Sequence, residues 1–232
     1  MLLTINVRRI TVLATVVLSA IVVSSAPTPN PSTTFIGENH LRRKCPKLCE
    51  GVAAVNSIQL YLCGDARLGP QKLPQVFPLD DITHPYDRFG GLCPAAFLKK
   101  WIDPNTGWYR YPPKGGFQLD INDQPIQGNI TLTAGTLLDR FGSENGNYLA
   151  PSEAPYPQRA LPPSSLDTPQ DRDKNNYPNN YHVYRVLKAF DVLSGPIAPW
   201  FGQAGQGVQY FTSSNVTTLI NDKILERVPL RR

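Results

Sequence analysis

The stretch YHVYRVLKAF, residues 181–190, decides the fold class because it is the clearest β-strand pattern in the chain. Side chains alternate between the two faces of a strand. Every second position from Tyr181 therefore shares one face, and every second position from His182 shares the other. This pattern predicts that a β-sheet organises the second half of the chain.

Weaker patterns surround this stretch. Alternating or β-favouring residues predict strands at residues 107–117, 129–133, 136–141 and 224–228. Apolar residues at three- and four-residue steps predict short helices at residues 45–63, 94–101 and 213–222. Ser213 or Ser214 is expected to cap the last helix, and Pro94 to begin the middle one. Together these patterns indicate an α+β fold.

The chain begins with the pattern of a secretory signal peptide. Arg8 and Arg9 precede the apolar residues 10–23, and small residues follow up to Ala26. A membrane-spanning helix needs about 20 apolar residues, which is more than this run supplies. We therefore expect cleavage near residue 26, secretion, and no stable membrane insertion.

Four cysteines lie in the first half of the mature chain: Cys45, Cys49, Cys63 and Cys93. In a secreted protein this even number predicts two disulfides, and three pairings are possible. A zinc site is the alternative, but Cys63 and Cys93 form no second ligand pair to complement the first. The spacing favours disulfides and leaves their pairing open.

Composition divides the chain. Residues 27–39 are rich in Pro, Ser and Thr and predict a flexible leader. We expect a small, partly helical domain stapled by disulfides over residues 27–118, followed by a strand-rich domain over residues 119–232.

Asn129 and Asn215 stand in glycosylation sequons. The net charge of +5 is not interleaved with aromatics, which argues against a nucleic-acid partner.

The stretch GPIAPWFGQAGQGVQY, residues 195–210, has the composition of a binding surface for a flat, polar ligand. It has no charge and combines four glycines with aromatics and three glutamines. Glycines allow backbone to approach a ligand, aromatics offer flat faces, and amides donate and accept hydrogen bonds. The alternative is a connection between strands whose aromatics fill a core.

Common catalytic motifs of hydrolases, nucleotide-binding enzymes and metalloproteases are absent from the sequence. The remaining candidates are cations and amides near aromatics. Arg140 and Arg159 have the forked geometry that suits a diphosphate. Each also has a structural interpretation, since Arg140 follows Asp139 and a histidine in a strand, such as His182, is more often packed than catalytic.

The order LTAGTLLDRFGSENGNYLAPSEAPYPQRALPP, NYHVYRVLKAF, SGPIAPWFGQAGQGVQYF and INDKILERV resembles the TNT domain family, named for the tuberculosis necrotizing toxin. The resemblance covers roughly residues 129–228. The first half is similar to that of fungal secreted NAD glycohydrolases. The resemblance implies hydrolysis of NAD, and of NADP, to nicotinamide and ADP-ribose, with no cofactor needed for catalysis. It also implies an extracellular or spore-surface location, a homodimer and a structural calcium ion, for which the sequence shows no ligand cluster.

The resemblance also implies site residues. Arg140 of the DRFG motif, Arg159 of RALPP and Gln209 of the GxGxQY segment match functional positions of the family. The expected substrate-binding residues are Phe141, Tyr148, His182, Trp200 and Tyr210. Nicotinamide leaves as a neutral base, so the arginines are expected to hold phosphates and ribose while Gln209 positions ribose or water. The competing functions are a secreted ADP-ribosyltransferase and a non-catalytic, glycosylated surface protein.

Overall fold

The computed structural model describes residues 45–169 and 177–230, which belong to one compact unit that spans Thr34–Arg232. The predicted signal peptide and leader lie outside the described residues. No helix in the described part of the chain is long and apolar enough to cross a membrane.

A seven-stranded antiparallel sheet dominates the described structure. Its strands are β1 (Gly128–Leu132), β2 (Leu137–Phe141), β3 (Tyr148–Pro151), β4 (Tyr181–Val186), β5 (Phe190–Pro196), β6 (Val208–Phe211) and β7 (Leu225–Val228). Their order across the sheet is β1-β5-β6-β3-β2-β4-β7, so β1 and β7 form its edges. The predicted α+β, strand-rich class is confirmed, as are the strands at residues 129–133, 136–141 and 224–228.

Both faces of the sheet are covered, as the alternation in β4 predicts. On one face Tyr184 and Val186 pack with Leu138 and Leu149. On the other face Tyr181 packs in a second apolar cluster with Phe141, Tyr156 and Leu166. The predicted strand at residues 181–190 is interrupted: β4 ends at Val186 and β5 begins at Phe190, so a tight connection turns the chain back.

Within the described residues, four short α-helices accompany the sheet: α1 (Leu79–Thr83), α2 (Pro94–Trp101), α3 (Tyr156–Arg159) and α4 (Val216–Asn221). Helix α2 confirms the prediction for residues 94–101, with Pro94 at its first position. Helix α4 is capped by Asn215, whose side chain accepts a hydrogen bond from the Thr218 amide. The predicted cap at Ser213 or Ser214 is wrong by one or two residues.

Two disulfides staple the first part of the described chain. Cys45 is bonded to Cys93, and Cys49 to Cys63. Cys45 is buried in an apolar cluster with Phe89, Phe97 and Phe201, so a residue from beyond β5 completes this core. The boundary near residue 118 stays a prediction about the organisation of the chain, since the packing joins residues on both sides of it.

Two predicted elements of this first part are absent. The helix at residues 45–63 is replaced by turns, and Val55 and Ile58 are 66% and 58% exposed. Residues 107–117 form isolated bridges and a 3-10 turn at Lys114–Gly116 instead of a strand. Three glycines in that segment have positive φ angles, which a strand does not accommodate.

Candidate active site

The uncharged stretch at residues 195–210 divides into two parts with different surroundings. Trp200 and Phe201 pack into the disulfide-stapled core, with the Trp101 ring 5.4 Å from that of Trp200. Trp200 donates its indole N–H to the Arg110 carbonyl at 2.7 Å. These two aromatics fill a core, as the alternative interpretation of the stretch predicts. The three glutamines of the stretch make contacts of their own, which differ from one another.

The structure distinguishes the three glutamines of the stretch. Gln203 is buried and donates to the Asp87 carbonyl at 2.6 Å, which is a structural contact. Gln206 is exposed and donates to the Gln118 side chain at 3.0 Å. Gln209 is 9% exposed and donates through Nε2 to the Gly115 carbonyl at 3.0 Å. Of the three, Gln209 lies next to another predicted site residue.

Tyr148 is that neighbouring residue. It is 38% exposed and lies at the start of β3, where it pairs with Phe211 of β6. Its ring is 5.0 Å from the Phe211 ring. A Cβ atom built on Gly115 would lie 3.0 Å from the Tyr148 hydroxyl, so Gly115 contacts both Tyr148 and Gln209. An amide, a phenol and a glycine turn thus meet at one end of the sheet.

Arg140 supports this group from the neighbouring strand. Its guanidinium donates to the Ser143 and Tyr148 carbonyls, both at 2.7 Å. Gly146 lies directly beside it: a Cβ there would be 2.0 Å from Nη2 and would displace the guanidinium from this position. Among the described residues no carboxylate is within ion-pair distance of Arg140. Burial lowers its pKa, while the charges of Tyr184 and Glu144 raise it.

Arg159 has different surroundings. It is 6% exposed and forms a forked ion pair with Asp139, with Nη2 2.7 Å from Oδ2. Its Nε donates to the Ala154 carbonyl, and Tyr181 also donates to Asp139. The guanidinium lies over the Phe141 ring, 5.1 Å from its centre. A substrate phosphate would have to displace Asp139, so this geometry favours a structural role for Arg159.

His182 is buried in a polar cluster opposite Arg140. Its Nε2 lies 3.2 Å from Asn180 Oδ1, so that nitrogen carries the proton, and its ring stacks on Tyr177. Burial lowers the pKa of His182 to about 4; Glu144 raises it, and Arg140 and Arg227 lower it. His182 Nδ1 is 3.7 Å from Glu144, but a neutral ring forms no ion pair there. His182 is thus an uncharged packing residue near neutral pH.

Glu144 holds the loop between β2 and β3. Its carboxylate accepts hydrogen bonds from Tyr184 at 3.1 Å and from Arg227 at 2.8 and 2.5 Å. Burial raises its pKa, but the hydrogen bonds and charges of Arg227 and Tyr184 outweigh this and lower it overall. Thr217 donates to its backbone carbonyl from α4. The loop that carries the Arg140 acceptors is therefore fixed from three sides.

Two further predicted substrate-binding residues are packed. Phe141 is 4% exposed and contacts Tyr156 and Tyr181 in the core. Tyr210 packs against the apolar cluster on the face of the sheet opposite Gln209. Both lie in strands next to the candidate site, but their rings pack into the core and do not face it.

Sequence reasoning missed Gly115 and Gly116, which lie against Tyr148 and Gln209. The signal was the PPKGG turn at residues 112–116, which reads as a strand end in the sequence. It also missed Glu144, because the sequence does not distinguish a hydrogen-bonded glutamate in a Gly-containing loop from a solvated one.

The described residues show no cluster of carboxylates that would mark a calcium site. Within residues 45–169 and 177–230, no group of three or more His, Cys, Asp or Glu side chains converges to hold a metal ion. Calcium therefore stays an expectation from the resemblance, and no chemistry is derived through it. A groove of about 710 Å³ lies elsewhere, lined by residues 74–79, 177–179 and 227–230 together with Tyr181 and Val183.

Comparison with known proteins agrees with the motif order. The sequence model of the family described as tuberculosis necrotizing toxin, TNT, matches residues 131–228. A conidial surface nicotinamide adenine dinucleotide glycohydrolase of Aspergillus fumigatus is 54% identical over 186 residues, which cover 79% of this chain and 76% of that relative.

Solved structures show lower similarity. The tuberculosis necrotizing toxin, in complex with its immunity factor IFT, is 22% identical with a TM-score of 0.40 and covers 78% of this chain and 94% of its own. Tse6, in complex with Tsi6, is 22% identical with a TM-score of 0.34 and covers 58% of this chain and 90% of its own. The identity to the fungal relative over most of both chains and the family match over residues 131–228 decide the assignment: this chain belongs to the TNT family.

Proposed function

We propose that this protein is an NAD glycohydrolase, which breaks the bond between nicotinamide and ribose and releases nicotinamide and ADP-ribose. NADP is the proposed second substrate. The observation that carries the proposal is the Gln209 amide held beside Tyr148, with the Arg140 guanidinium bound to the Tyr148 backbone. The name of the 54% identical relative supports the same activity.

The reaction suits these residue types. The C1′–N bond breaks with its electron pair going to nicotinamide, which leaves as a neutral base, so no acid is needed to protonate it. Water then adds to the ribose carbon and loses its proton to solvent. The ribose carries positive charge in the transition state, and a neutral amide oxygen stabilises it by holding a ribose hydroxyl or the attacking water. Gln209 is the proposed source of that oxygen.

The two arginines have different proposed roles. Arg140 is the proposed anchor for the substrate's phosphates, because no described carboxylate neutralises its charge. Arg159 is proposed to hold Asp139 and the Tyr181 hydroxyl in place beneath the site, since its guanidinium is already bound. Tyr148 is the proposed aromatic wall, because its ring is more than one-third exposed.

Turnover of NAD by the purified protein tests the proposal, with nicotinamide and ADP-ribose separated by chromatography. We expect Gln209→Ala to lower kcat about 100-fold, in the range found for the loss of one transition-state hydrogen bond. The matched control is Gln206→Ala, which removes an exposed amide three residues away and should retain wild-type activity. Near-normal turnover by a folded Gln209→Ala variant would contradict the role of that residue.

The same assay separates the competing functions. Radiolabel from NAD that accumulates on protein, with little free ADP-ribose, would support an ADP-ribosyltransferase. No loss of NAD would support a non-catalytic surface protein.

Secretion and display on the cell or spore surface complete the proposal, in agreement with the conidial surface location in the name of the relative. Glycosylation is proposed at Asn129, which is exposed on the edge strand β1, and at Asn215. A homodimer and a calcium ion are also proposed from the family resemblance. Mass spectrometry and sedimentation of the secreted protein test these points.

A further inference from the structure

The Lys114–Gly116 turn lies outside the segment that the family model matches, yet it contacts the candidate catalytic amide. We propose that this turn is a positioning element of the active site, whose Gly115 carbonyl fixes the Gln209 amide so that Oε1 is the atom presented to substrate. The inference rests on the proposed hydrolysis of NAD.

The chemistry of the hydrogen bond determines the orientation of the amide. A backbone carbonyl can only accept, so the group that faces Gly115 must be the NH₂ of Gln209. The amide oxygen then takes no part in the hydrogen bond to the turn. Among the described residues no donor lies within hydrogen-bond distance of Oε1. An acceptor with a fixed direction is therefore available for a ribose hydroxyl or a water molecule.

The turn is itself fixed to the strands that carry the site. The Gly116 carbonyl accepts from the Ala198 amide at 2.9 Å, and the Gln118 amide donates to the Pro196 carbonyl at 2.8 Å. Pro196 ends β5, and Gly195 pairs directly with Gln209. The donor and the acceptor of the key hydrogen bond are thus held by one framework, which limits rotation of the amide.

Glycine is required in this turn for two reasons. Gly115 and Gly116 have φ angles of +68° and +78°, which L-residues with a side chain rarely adopt. A Cβ on Gly115 would also lie 3.0 Å from the Tyr148 hydroxyl, and a Cβ on Gly116 would lie 3.9 Å from Gln209 Oε1. A side chain at Gly115 would therefore press on Tyr148, whereas the Cβ on Gly116 would make an ordinary van der Waals contact with Gln209.

The first experiment compares Gly115→Ala with Gly107→Ala. Gly107 has a similar φ of +71° in the same part of the chain, but a Cβ there meets nothing within 4 Å. Both variants carry the same backbone strain, so melting temperatures should fall equally. We expect Gly115→Ala to lower kcat about 10-fold with a smaller change in KM, and Gly107→Ala to keep wild-type kcat. Equal kcat values for the two variants would overturn the proposal.

The second experiment tests whether the turn acts through Gln209. Gln209→Glu keeps an acceptor oxygen but turns a second acceptor towards the Gly115 carbonyl, so we expect kcat to fall at least 10-fold. Adding Gly115→Ala to Gln209→Ala should cause a much smaller loss than Gly115→Ala causes in the wild type, because the residue that the turn positions is gone and only the contact with Tyr148 is disturbed. A further 10-fold loss in the double variant would overturn the proposal.

A readout without catalysis separates this inference from the proposed activity. The two side-chain amide protons of Gln209 should show separate, slowly exchanging NMR signals in the wild type and in Gly107→Ala. In Gly115→Ala they should exchange quickly. If the wild-type protein hydrolyses no NAD, the proposed function fails while these signals still test the positioning contact. If it hydrolyses NAD and the signals are unchanged in Gly115→Ala, the positioning role alone fails.

Discussion

The two halves of the described chain are stabilised by different interactions. Residues 45–118 contain short helices and turns tied by two disulfides, and their buried core takes in Phe201 from the later part of the chain. Residues 128–228 contain all seven described strands, with an apolar cluster on each face of the sheet. The candidate catalytic amide of Gln209 lies on the sheet, whereas the carbonyl that holds it comes from the first half. The comparison shows that a regular framework and an irregular segment together form one site.

The largest expected effect comes from the buried ion pair of the sheet half. Asp139 is fully buried and accepts from Arg159, Tyr181 and the Glu153 amide. Replacing Asp139 with Ala leaves the Arg159 cation buried with one carbonyl partner. We expect a loss of about 3–5 kcal/mol in the free energy of unfolding, measured by urea denaturation.

An exposed pair on the same sheet provides the control. Arg185 on β4 lies 2.9 Å from Glu226 on β7, and both side chains are more than 40% exposed. Glu226→Ala should cost about 0–1 kcal/mol, because water screens the pair. Similar losses for Asp139→Ala and Glu226→Ala would contradict the view that the buried pair stabilises this half.

The next largest effect comes from the disulfides of the first half. The Cys45–Cys93 bond closes a loop with a sequence separation of 48, and the Cys49–Cys63 bond one of 14. Loop-closure entropy predicts that these bonds raise the free energy of the unfolded chain by about 4 and about 3 kcal/mol respectively. Replacing Cys45 and Cys93 with Ser should therefore destabilise the protein more than the same change at the shorter loop.

Hydrogen exchange locates the effect of these variants. Amide protons of residues 45–118 should exchange faster in both, while those of β2 and β4 should lose protection only as far as global stability falls. Equal loss of protection in the sheet and in the first half at low denaturant would show that the two halves unfold as a single unit. That result would contradict the view that the two halves are stabilised by separate interactions.

The sheet half was predictable in part, where its signals are local and periodic. Residues 181–186 alternate, as do residues 129–132, so these strands follow from the sequence, although Ile130 on the edge strand is 41% exposed. Strands β3, β5 and β6 lack such a signal and were not predicted. The first half lacks such signals. Val55 and Ile58 have helical spacing but are exposed, since the disulfides and turns determine the backbone there.

The candidate site was predictable only in part, for a related reason. Gln209 and Tyr148 lie in motifs that the resemblance identifies, and the structure brings them together. The Gly115 carbonyl carries no residue-type signal, because every residue has such a group. The role of Arg159 depended on whether Asp139 would reach it across 20 positions, which spacing in the sequence does not indicate.

The smallest expected effect is a pH dependence that comes from the sheet half. Burial lowers the pKa of His182 to about 4, whereas an unfolded histidine titrates near pH 6.5. Between these values the unfolded chain binds a proton that the folded chain does not, so the contribution of His182 to stability falls as the pH drops from about 6.5 to 4. Discounting for solvent screening, we expect this contribution to fall by about 2 kcal/mol, measured by urea denaturation of the wild type and of His182→Gln at each pH.

Two variants separate the contribution of His182 to this pH dependence from that of other groups. His182→Gln removes the titrating ring and should therefore raise the stability at pH 4, relative to that at pH 6.5, above the wild-type difference. Asp167, which contacts the first half through the charge of Arg88, has the opposite sign: burial raises its pKa to about 8, although Arg88 lowers it, so its contribution falls as the pH rises from about 4 to 8. Asp167→Asn should therefore flatten the curve above pH 6.5 and, because Asp167 opposes His182 between pH 4 and 6.5, deepen the loss of stability on the acid limb. An unchanged difference in stability between pH 6.5 and 4 in His182→Gln would contradict this assignment to His182.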